Sequence, residues 1–475
     1  MNRPAIVIIH YHLRPGGVTR VIERAVESLG DRVDLLCLSG EAPAPGDALT
    51  PITEPFQPLA YASAMPADFK QVAEDLRFTA TRLLGREPDI WHIHNHALGK
   101  NGFTPALVKH LADAGCRMLL QPHDFAEDGR PDNYRLLRDQ LGDQLETVLY
   151  PAADHIWYAP INFRDKSFLE QIGLRHVHEL PNAVTAHAPA ETGSADKTGS
   201  RTVVYPARAI RRKNMGEFLL WSLLAPEGYT FQRTLAPRNP VWQKTYQDWV
   251  DFAKELQLPV EFDAGRKHDF SALIRDAEVL ISTSIAEGFG LAFLEPWLEG
   301  KNLIGRKLPE ITPDFEDEGL DLSGLYATLP VPLAWAGESL FLDRLRSGLQ
   351  NSYAAYSRTF DETVFDQAFA LLVDDGRVDF GILDEELQQN VIRHLANHEA
   401  DRMRLPAFDT SMEASLLQNN RQVVEDQYSL EAYGRRLHSL YAALAQTRPS
   451  PVSAAPASRL LDAFLQPGRF NLMRT

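Results

Sequence analysis

A unit of local pattern keeps returning along this chain and limits the shapes open to it: a short, fully apolar run, a turn, then a helix with one apolar face. The run Ala5–Ile9 is continuously apolar and gives way at once to 10-HYHLR-14, as a strand buried on both faces does. In 14-RPGGVTRVIERAVESLG-30, Val18, Val21, Ile22, Ala25, Val26 and Leu29 mark one helical face, and Gly30 is placed to cap its end. The runs 33-VDLLCL-38, 89-DIWHIH-94, 117-RMLLQ-121 and 154-DHIWYAPI-161 repeat the theme, with helical stretches such as 67-ADFKQVAEDLRFTATRLL-84 between them. Strands alternating with helices in this way predict an α/β fold built on a doubly wound parallel sheet.

The pattern stops around 185-TAHAPAETGSADKTGSR-201, where small and polar residues follow no period, and restarts at 202-TVVYPA-207. A helix with Met215, Phe218, Leu219 and Leu223 on one face follows. Next come a helix over 245-TYQDWVDFAKELQL-258 and strands near 259-PVEFD-263 and 278-EVLISTS-284. At 475 residues the chain exceeds what one core usually holds. The expected organisation is a Rossmann-like domain over residues 1–185, a linker at 186–201, a second Rossmann-like domain over 202–425, and a C-terminal helix and tail over 426–475. In that last part, 429-SLEAYGRRLHSLYAALA-445 begins with Ser429 as N-cap and Glu431 in the first turn. Its stripe Leu430, Tyr433, Leu437, Tyr441 and Leu444 requires a partner surface, whereas the apolar patch 460-LLDAFL-465 has no purpose legible in the sequence.

Formal net charge is −16, so the surface as a whole repels nucleic acid and anionic membrane. Cys37 and Cys116 are too few for a disulfide framework, and no window approaches the roughly 18 apolar residues that span a bilayer. The expectation is a cytoplasmic protein with no nucleic-acid partner and no stable membrane insertion. In so acidic a chain, a local cluster of cations stands out.

One such cluster is 205-YPARAIRRKN-214, where Arg208 and Lys213 flank Arg211 and Arg212 at a strand end. Cations at a helix start oppose the macrodipole unless an anion sits there, and a diphosphate is the simplest such anion; a solvated basic turn is the alternative. In 287-EGFGLAFLEPWLEGK-301 a Gly-Phe-Gly turn lets backbone N–H groups approach a phosphate. Pro296 suits only a first helical turn, which predicts a helix from near Ala292 with Glu295 on its first turn. Carboxylates on either side of a phosphate-friendly turn suit a molecule with sugar rings at both ends of a diphosphate, a nucleotide sugar.

On these residues the chain resembles the GT-B glycosyltransferases, in particular the large retaining family 4 group. Glu287-Gly288-Phe289-Gly290-Leu291 through Glu295 is similar to the family's E-x7-E motif, 308-LPEI-311 to the segment after it, and Arg208-x4-Lys213 to its diphosphate clamp. Likewise 16-GGVTRVIE-23 resembles the glycine loop and first helix, 181-PNAV-184 the turn before the linker, and 429-SLEAYGRRLHSLY-441 the closing helix. The resemblance implies two Rossmann-like domains facing across a cleft, with the C-terminal helix packing back on the N-terminal domain. Glu295 would hold the ribose and Glu287 the donor sugar, while Arg208 and Lys213 neutralise the leaving diphosphate without a metal. The backbone of Gly16 and Gly17 would face the phosphate or sugar, and His123, in 121-QPHDF-125, would lie near the transferred sugar. Catalysis would pass through an oxocarbenium-like state with the leaving phosphate taking the acceptor's proton.

The implied activity is retaining transfer from a UDP-, GDP- or ADP-sugar, with no further cofactor, to a small soluble sugar or sugar-acid type acceptor. A nucleotide-sugar epimerase, a sugar phosphorylase, a lipopolysaccharide or exopolysaccharide glycosyltransferase and a non-catalytic binding protein are the alternatives. In 91-WHIHNH-96 the alternation of His92, His94 and His96 places all three on one side of a strand, but no acid or cysteine nearby completes a metal-ligand set. The stretch 229-YTFQRTLAPRNP-240 lacks glycines usual in the family, and 314-DFEDEGLDLSGLYATLPVPLAW-335 is longer than expected.

Overall fold

The computed structural model describes residues 3–186 and 201–474; residues 187–200 of the expected linker lie outside them. The chain divides into two units, one of Met1–Ala183 with Gln427–Leu465 and one of Val184–Asp426 with Gln466–Thr475.

The main sheet of the first unit is built from β1 (Ala5–His10), β2 (Asp34–Ser39), β3 (Thr53–Pro55), β4 (Ile90–His94), β5 (Met118–Gln121) and β6 (Ile156–Tyr158). They form one sheet in the order β3-β2-β1-β4-β5-β6, parallel at every pairing. This is the doubly wound dinucleotide-fold order, whose direction reverses between β1 and β4. Every residue of β1 and β4 is buried, which explains why both read as unbroken apolar or aromatic runs rather than as alternations. The helix Gly17–Leu29 covers the sheet with Val21, Ile22, Ala25 and Leu29, and Gly30 ends it at φ 51°.

Against that helix packs the C-terminal helix Leu430–Leu444, whose Tyr433, Leu437, Tyr441 and Leu444 join the core with Ile22 and Ala25. Ser429 caps it by accepting from the Ala432 N–H. At Gly434 a Cβ would come within 2.9 Å of the Ser28 Cβ and 3.0 Å of its carbonyl, so glycine sets how closely the two helices approach. The patch around 460-LLDAFL-465 also finds its purpose here. Ala457–Phe464 is a helix whose Phe464 packs edge-on to Phe168 at 5.1 Å and against Phe125 at 5.5 Å. The chain beyond it does not stay with this unit: Leu472 sits in the core of the second, where Asn471 donates to the Gly381 carbonyl at 3.2 Å.

The second unit carries β7 (Arg201–Arg208), β8 (Tyr229–Leu235), β9 (Val260–Glu261), β10 (Val279–Ser282) and β11 (Asn302–Gly305). Their order is β9-β8-β7-β10-β11, again parallel throughout, with the reversal between β7 and β10. The long stretch after Glu310 is part of this unit's core rather than an appendage. Leu329, Val331 and Leu333 are buried with Phe218 and Leu219 of the helix Met215–Leu224, and Pro330–Pro332 pairs antiparallel with Arg377–Asp379.

Candidate functional site

In doubly wound sheets ligands bind beyond the carboxyl ends of the strands where strand order reverses. In the second unit that place lies beyond β7 and β10. Strand β7 carries a register shift between Tyr205 and Arg208, an irregularity of the kind that re-aims a side chain at a strand end. The Thr234 hydroxyl donates to the Ala207 carbonyl at 3.2 Å, and Arg233 Nη2 to the Arg208 carbonyl at 3.1 Å. These bonds hold the irregular stretch. Arg208 itself is partly exposed, its Nη1 donating to the Ala236 carbonyl at 2.8 Å. Desolvation and the neighbouring Arg238 both lower its basicity, as expected of a cation without a carboxylate.

The next cations do not lie in the helix. Arg211–Lys213 form a 3-10 turn, and the helix starts only at Met215. Asn214 separates them in a left-handed conformation, φ 48°, and its side chain accepts from the Glu217 N–H, a cap that stabilises by about 1 kcal/mol. Thr283 donates to the Lys213 and Asn214 carbonyls at 3.1 and 3.0 Å, and Gln388 donates to Asn214 Oδ1 at 2.9 Å. Below them Glu217 meets Arg306 at 2.7 Å, which also reaches Asp379 at 2.7 Å. The backbone carrying Lys213 is thus tied to a buried ionic triad.

Lys213 forms an ion pair with Glu287, and Arg212 Nη1 approaches the same carboxylate at 3.4 Å. Burial pushes the Glu287 carboxyl up, but the Lys213 and Arg212 cations outweigh it and hold it below the usual range. Arg211 is engaged elsewhere, bonded through Nε and Nη2 to Glu385 at 2.7 and 2.9 Å.

Past Glu287, Gly290 adopts φ 99°, and a Cβ there would meet Ile311 and Phe293 at 3.0 Å. Its glycine is required by the turn and by packing. Phe289 is buried edge-on to Phe315 at 5.6 Å. The expected continuous helix from Ala292 is instead two pieces, a 3-10 turn Leu291–Phe293 and a short helix Glu295–Leu298. Pro296 accounts for the break, because it has no N–H to donate back into the preceding turn. Glu295 does occupy a first helical turn. It lines a cavity together with Ala207, Pro206, Phe270 and Ile274, so the residue before Arg208 and Glu295 share one cavity.

Residues Arg233 and Arg238 were not singled out in the sequence. The signal was there, two arginines in the stretch after Gly228 that lacks the family's glycines, but nothing local distinguishes a buried arginine from a solvated one.

In the first unit, Gly16 caps the helix Gly17–Leu29 with φ −176°, extended backbone that any residue adopts. A Cβ on Gly17 would meet nothing within 4 Å. Neither glycine is demanded by the fold, since a Cβ on Gly16 would meet the Arg14 carbonyl only at an ordinary 3.7 Å. The β1–β4 reversal is lined by histidines. His92 and His94 stack at 4.3 Å, and His94 Nδ1 lies 2.9 Å from His123 Nε2. The third histidine of the alternating run does not share that side: the strand ends at His94, Asn95 turns left-handed at φ 55°, and His96 bonds the Leu149 carbonyl at 3.0 Å. His123 is held by its N–H to Asn95 Oδ1 at 2.7 Å. Desolvation, with His10 and His92 adding to it, lowers its pKa to about 3, so it is a neutral hydrogen-bonding group. Among the described residues no cluster of His, Cys, Asp or Glu could hold a metal ion.

One further group in this unit escaped the sequence reading. Lys100, after β4, donates to Asn133 at 3.1 Å and lies 5.5 Å from the Tyr61 ring. Tyr61 is 47% exposed, and its hydroxyl is 3.0 Å from His12 Nε2. Among the described residues Lys100 has no carboxylate partner. Nor is any described helix long and apolar enough to cross a membrane.

No family model matches the chain. A curated relative, mannosylglucosyl-3-phosphoglycerate synthase of Petrotoga mobilis, is 28% identical over 344 residues, a match spanning 66% of this chain and 66% of that protein, just under two thirds of its length. Among solved structures, Anabaena HepE in complex with UDP matches at TM-score 0.53 and 13% identity, covering 92% of this chain and 100% of that one. A glycosyltransferase from Rickettsia africae matches at TM-score 0.53 and 14% identity, covering 94% and 100%. At such identities the likeness is one of fold. By that likeness the chain has the GT-B fold.

Proposed function

We propose that the chain is a retaining glycosyltransferase that moves a sugar from a nucleoside-diphosphate sugar to a hydroxyl of a small, negatively charged sugar-acid acceptor. The observation that carries this reading is the placement of Lys213 in an ion pair with Glu287, with Glu295 lining a cavity that reaches the residue before Arg208. In this reading the nucleoside enters that cavity and Glu295 accepts from the ribose hydroxyls. Glu287 accepts from donor-sugar hydroxyls, its carboxylate kept ionised by Lys213.

As the bond between the sugar's anomeric carbon and the diphosphate oxygen breaks, Arg208 and Lys213 take up the charge that develops on the leaving group. The acceptor hydroxyl oxygen bonds to the anomeric carbon on the face the diphosphate leaves. Its proton passes to the departing phosphate oxygen, and nucleoside diphosphate is released. Cations fixed in the fold do what many transferases assign to a metal. Gly16 and Gly17, whose glycines the fold does not require, and the neutral His123 serve as backbone and imidazole partners for donor or acceptor.

For the acceptor, the product of the curated relative carries by its name a phosphoglycerate, and Lys100 with Tyr61 and His12 offers a cation and an exposed aromatic ring to such a group. The test is a panel of UDP-, GDP- and ADP-sugars scored by thermal protection, followed by acceptors with the best donor. Ligand at a hundred times its dissociation constant adds about 2.7 kcal/mol of stability. Glu295→Ala is expected to weaken nucleotide binding, and Glu287→Ala mainly to slow turnover. Equal loss of both properties in both variants would overturn the assignment of ends.

A further inference from the structure

Of the cations gathered at the ends of β7 and β8, several are already neutralised: Lys213 by Glu287, Arg211 by Glu385, and Arg212 in part by Glu287. Arg208, Arg233 and Arg238 have no carboxylate partner among the described residues. Arg233 is the unusual one. It is 0% exposed, its Nε and Nη1 lack a partner of hydrogen-bonding geometry, and its guanidinium lies 3.9 Å over the Tyr205 ring. The groups of acidic type that act on it are the phenols of Tyr205 and Tyr246.

A buried, unmatched guanidinium carries a desolvation penalty that no ion pair offsets, so an apolar side chain of similar volume in its place removes that penalty. A chain of net charge −16 has acids in plenty, yet among the described residues the carboxylate bonded at this strand end, Asp263, accepts from the Ala236 N–H at 2.6 Å rather than from the guanidinium. The guanidinium donates from Nη2 to the Arg208 carbonyl at 3.1 Å, which sets it directly behind the first cation of the clamp. Arg238 is exposed three residues beyond the end of β8, and its charge lowers the basicity of Arg208.

We propose that Arg233 and Arg238 form a second tier of the diphosphate-binding field, Arg233 as a buried charge left uncompensated until the diphosphate docks and Arg238 from the surface. This rests on the nucleotide-sugar reading above and adds residues to it. Arg233 touches no phosphate. It is a positioning residue that fixes the Arg208 backbone and supplies potential from a low-dielectric interior, where charge is least screened.

The test compares UDP, GDP and ADP with uridine, guanosine and adenosine on the wild-type chain and on Arg233→Met, Arg233→Lys and Arg238→Ala, by calorimetry and thermal unfolding. For Arg233→Met the expectation is a ligand-free melting temperature equal to or above that of wild type. Its diphosphate affinity should fall at least about tenfold, with nucleoside affinity unchanged. Arg233→Lys should recover most of the loss, and Arg238→Ala should show a smaller drop in diphosphate affinity alone. Equal loss for nucleoside and diphosphate, or undiminished diphosphate affinity in Arg233→Met, would overturn the proposal and leave the donor reading standing. A wild-type chain with no preference for diphosphate over nucleoside would instead sink the donor reading. Should Arg233→Met not fold, Arg233→Gln carries the same comparison. Failure of both neutral variants to fold would mark Arg233 as a structural residue and refute the proposal.

Discussion

Lowering the pH from 7.5 to 5.5 is expected to destabilise the first unit through its buried imidazoles. His92 and His96 are both 0% exposed. Desolvation by burial is the main cause of the fall of each pKa to about 4, opposed by the Gln121 side chain for His92 and the Leu149 carbonyl for His96. In the unfolded chain each returns to about 6.5. Above pH 6.5 both states are neutral and the groups contribute nothing. Below it the unfolded chain binds protons that the folded one refuses, so stability is lost as pH falls from 6.5 toward 4.

At pH 5.5, one unit below the unfolded value, each histidine removes about 1.4 kcal/mol, or about 3 kcal/mol for the pair. That is a large share of the roughly 5–15 kcal/mol typical of a domain. His10 and His123, each lowered to about 3 with desolvation the largest cause, act in the same direction. The assay is urea unfolding of the full chain at half-unit steps of pH, with imidazole proton resonances followed by NMR. His92→Gln should flatten the stability–pH slope by up to about one proton, 1.4 kcal/mol per pH unit. Imidazole resonances of His92 and His96 that titrate near pH 6.5 in the folded chain would refute the reasoning. So would a stability unchanged between pH 7.5 and 5.5.

Arg306→Met leaves Glu217, itself buried, and Asp379 without their shared counter-ion. A loss of about 3–5 kcal/mol by denaturant titration is expected, and a loss below 1 kcal/mol would show that the triad is dispensable. Gly290→Ala must hold φ 99° against Ile311 and Phe293, which predicts at least about 1 kcal/mol of destabilisation together with slower turnover. Gly17→Ala, which meets nothing within 4 Å, should leave the melting temperature unchanged and lower turnover; unchanged turnover would remove Gly17 from the reaction. Lys100→Ala should raise KM for a phosphoglycerate-bearing acceptor several-fold while leaving donor hydrolysis alone, and an equal effect on a neutral sugar acceptor would contradict an anion-binding role.

Much of the fold was legible because its strands are short and wholly buried. Ala5–His10 and Ile90–His94 announce themselves as apolar runs since both faces are covered, and the helices between them show one stripe each. The caps at Gly30 and Ser429 were legible for the same local reason. Where the prediction missed, one residue inside the motif changed the backbone path. Pro296 splits what looked like one helix, and Asn95 ends the histidine strand one residue before the alternation would place His96.

In the candidate site the sequence by itself determined which residue types stand at β7 and β10: Arg208, Lys213, Glu287 and Glu295, in an order and spacing suited to a diphosphate. It determined the Rossmann-like halves as well, because hydrophobic period is a property of the chain alone. Only the tertiary structure decided how those charges are matched. It gives Lys213 to Glu287, Arg211 to Glu385 and Arg469 to Glu310, and leaves Arg233 buried with none. The physical reason is that Coulomb energy depends on separation in space and on the surrounding dielectric, and residues as far apart in the chain as Arg211 and Glu385 acquire both only once the sheets and helices have packed.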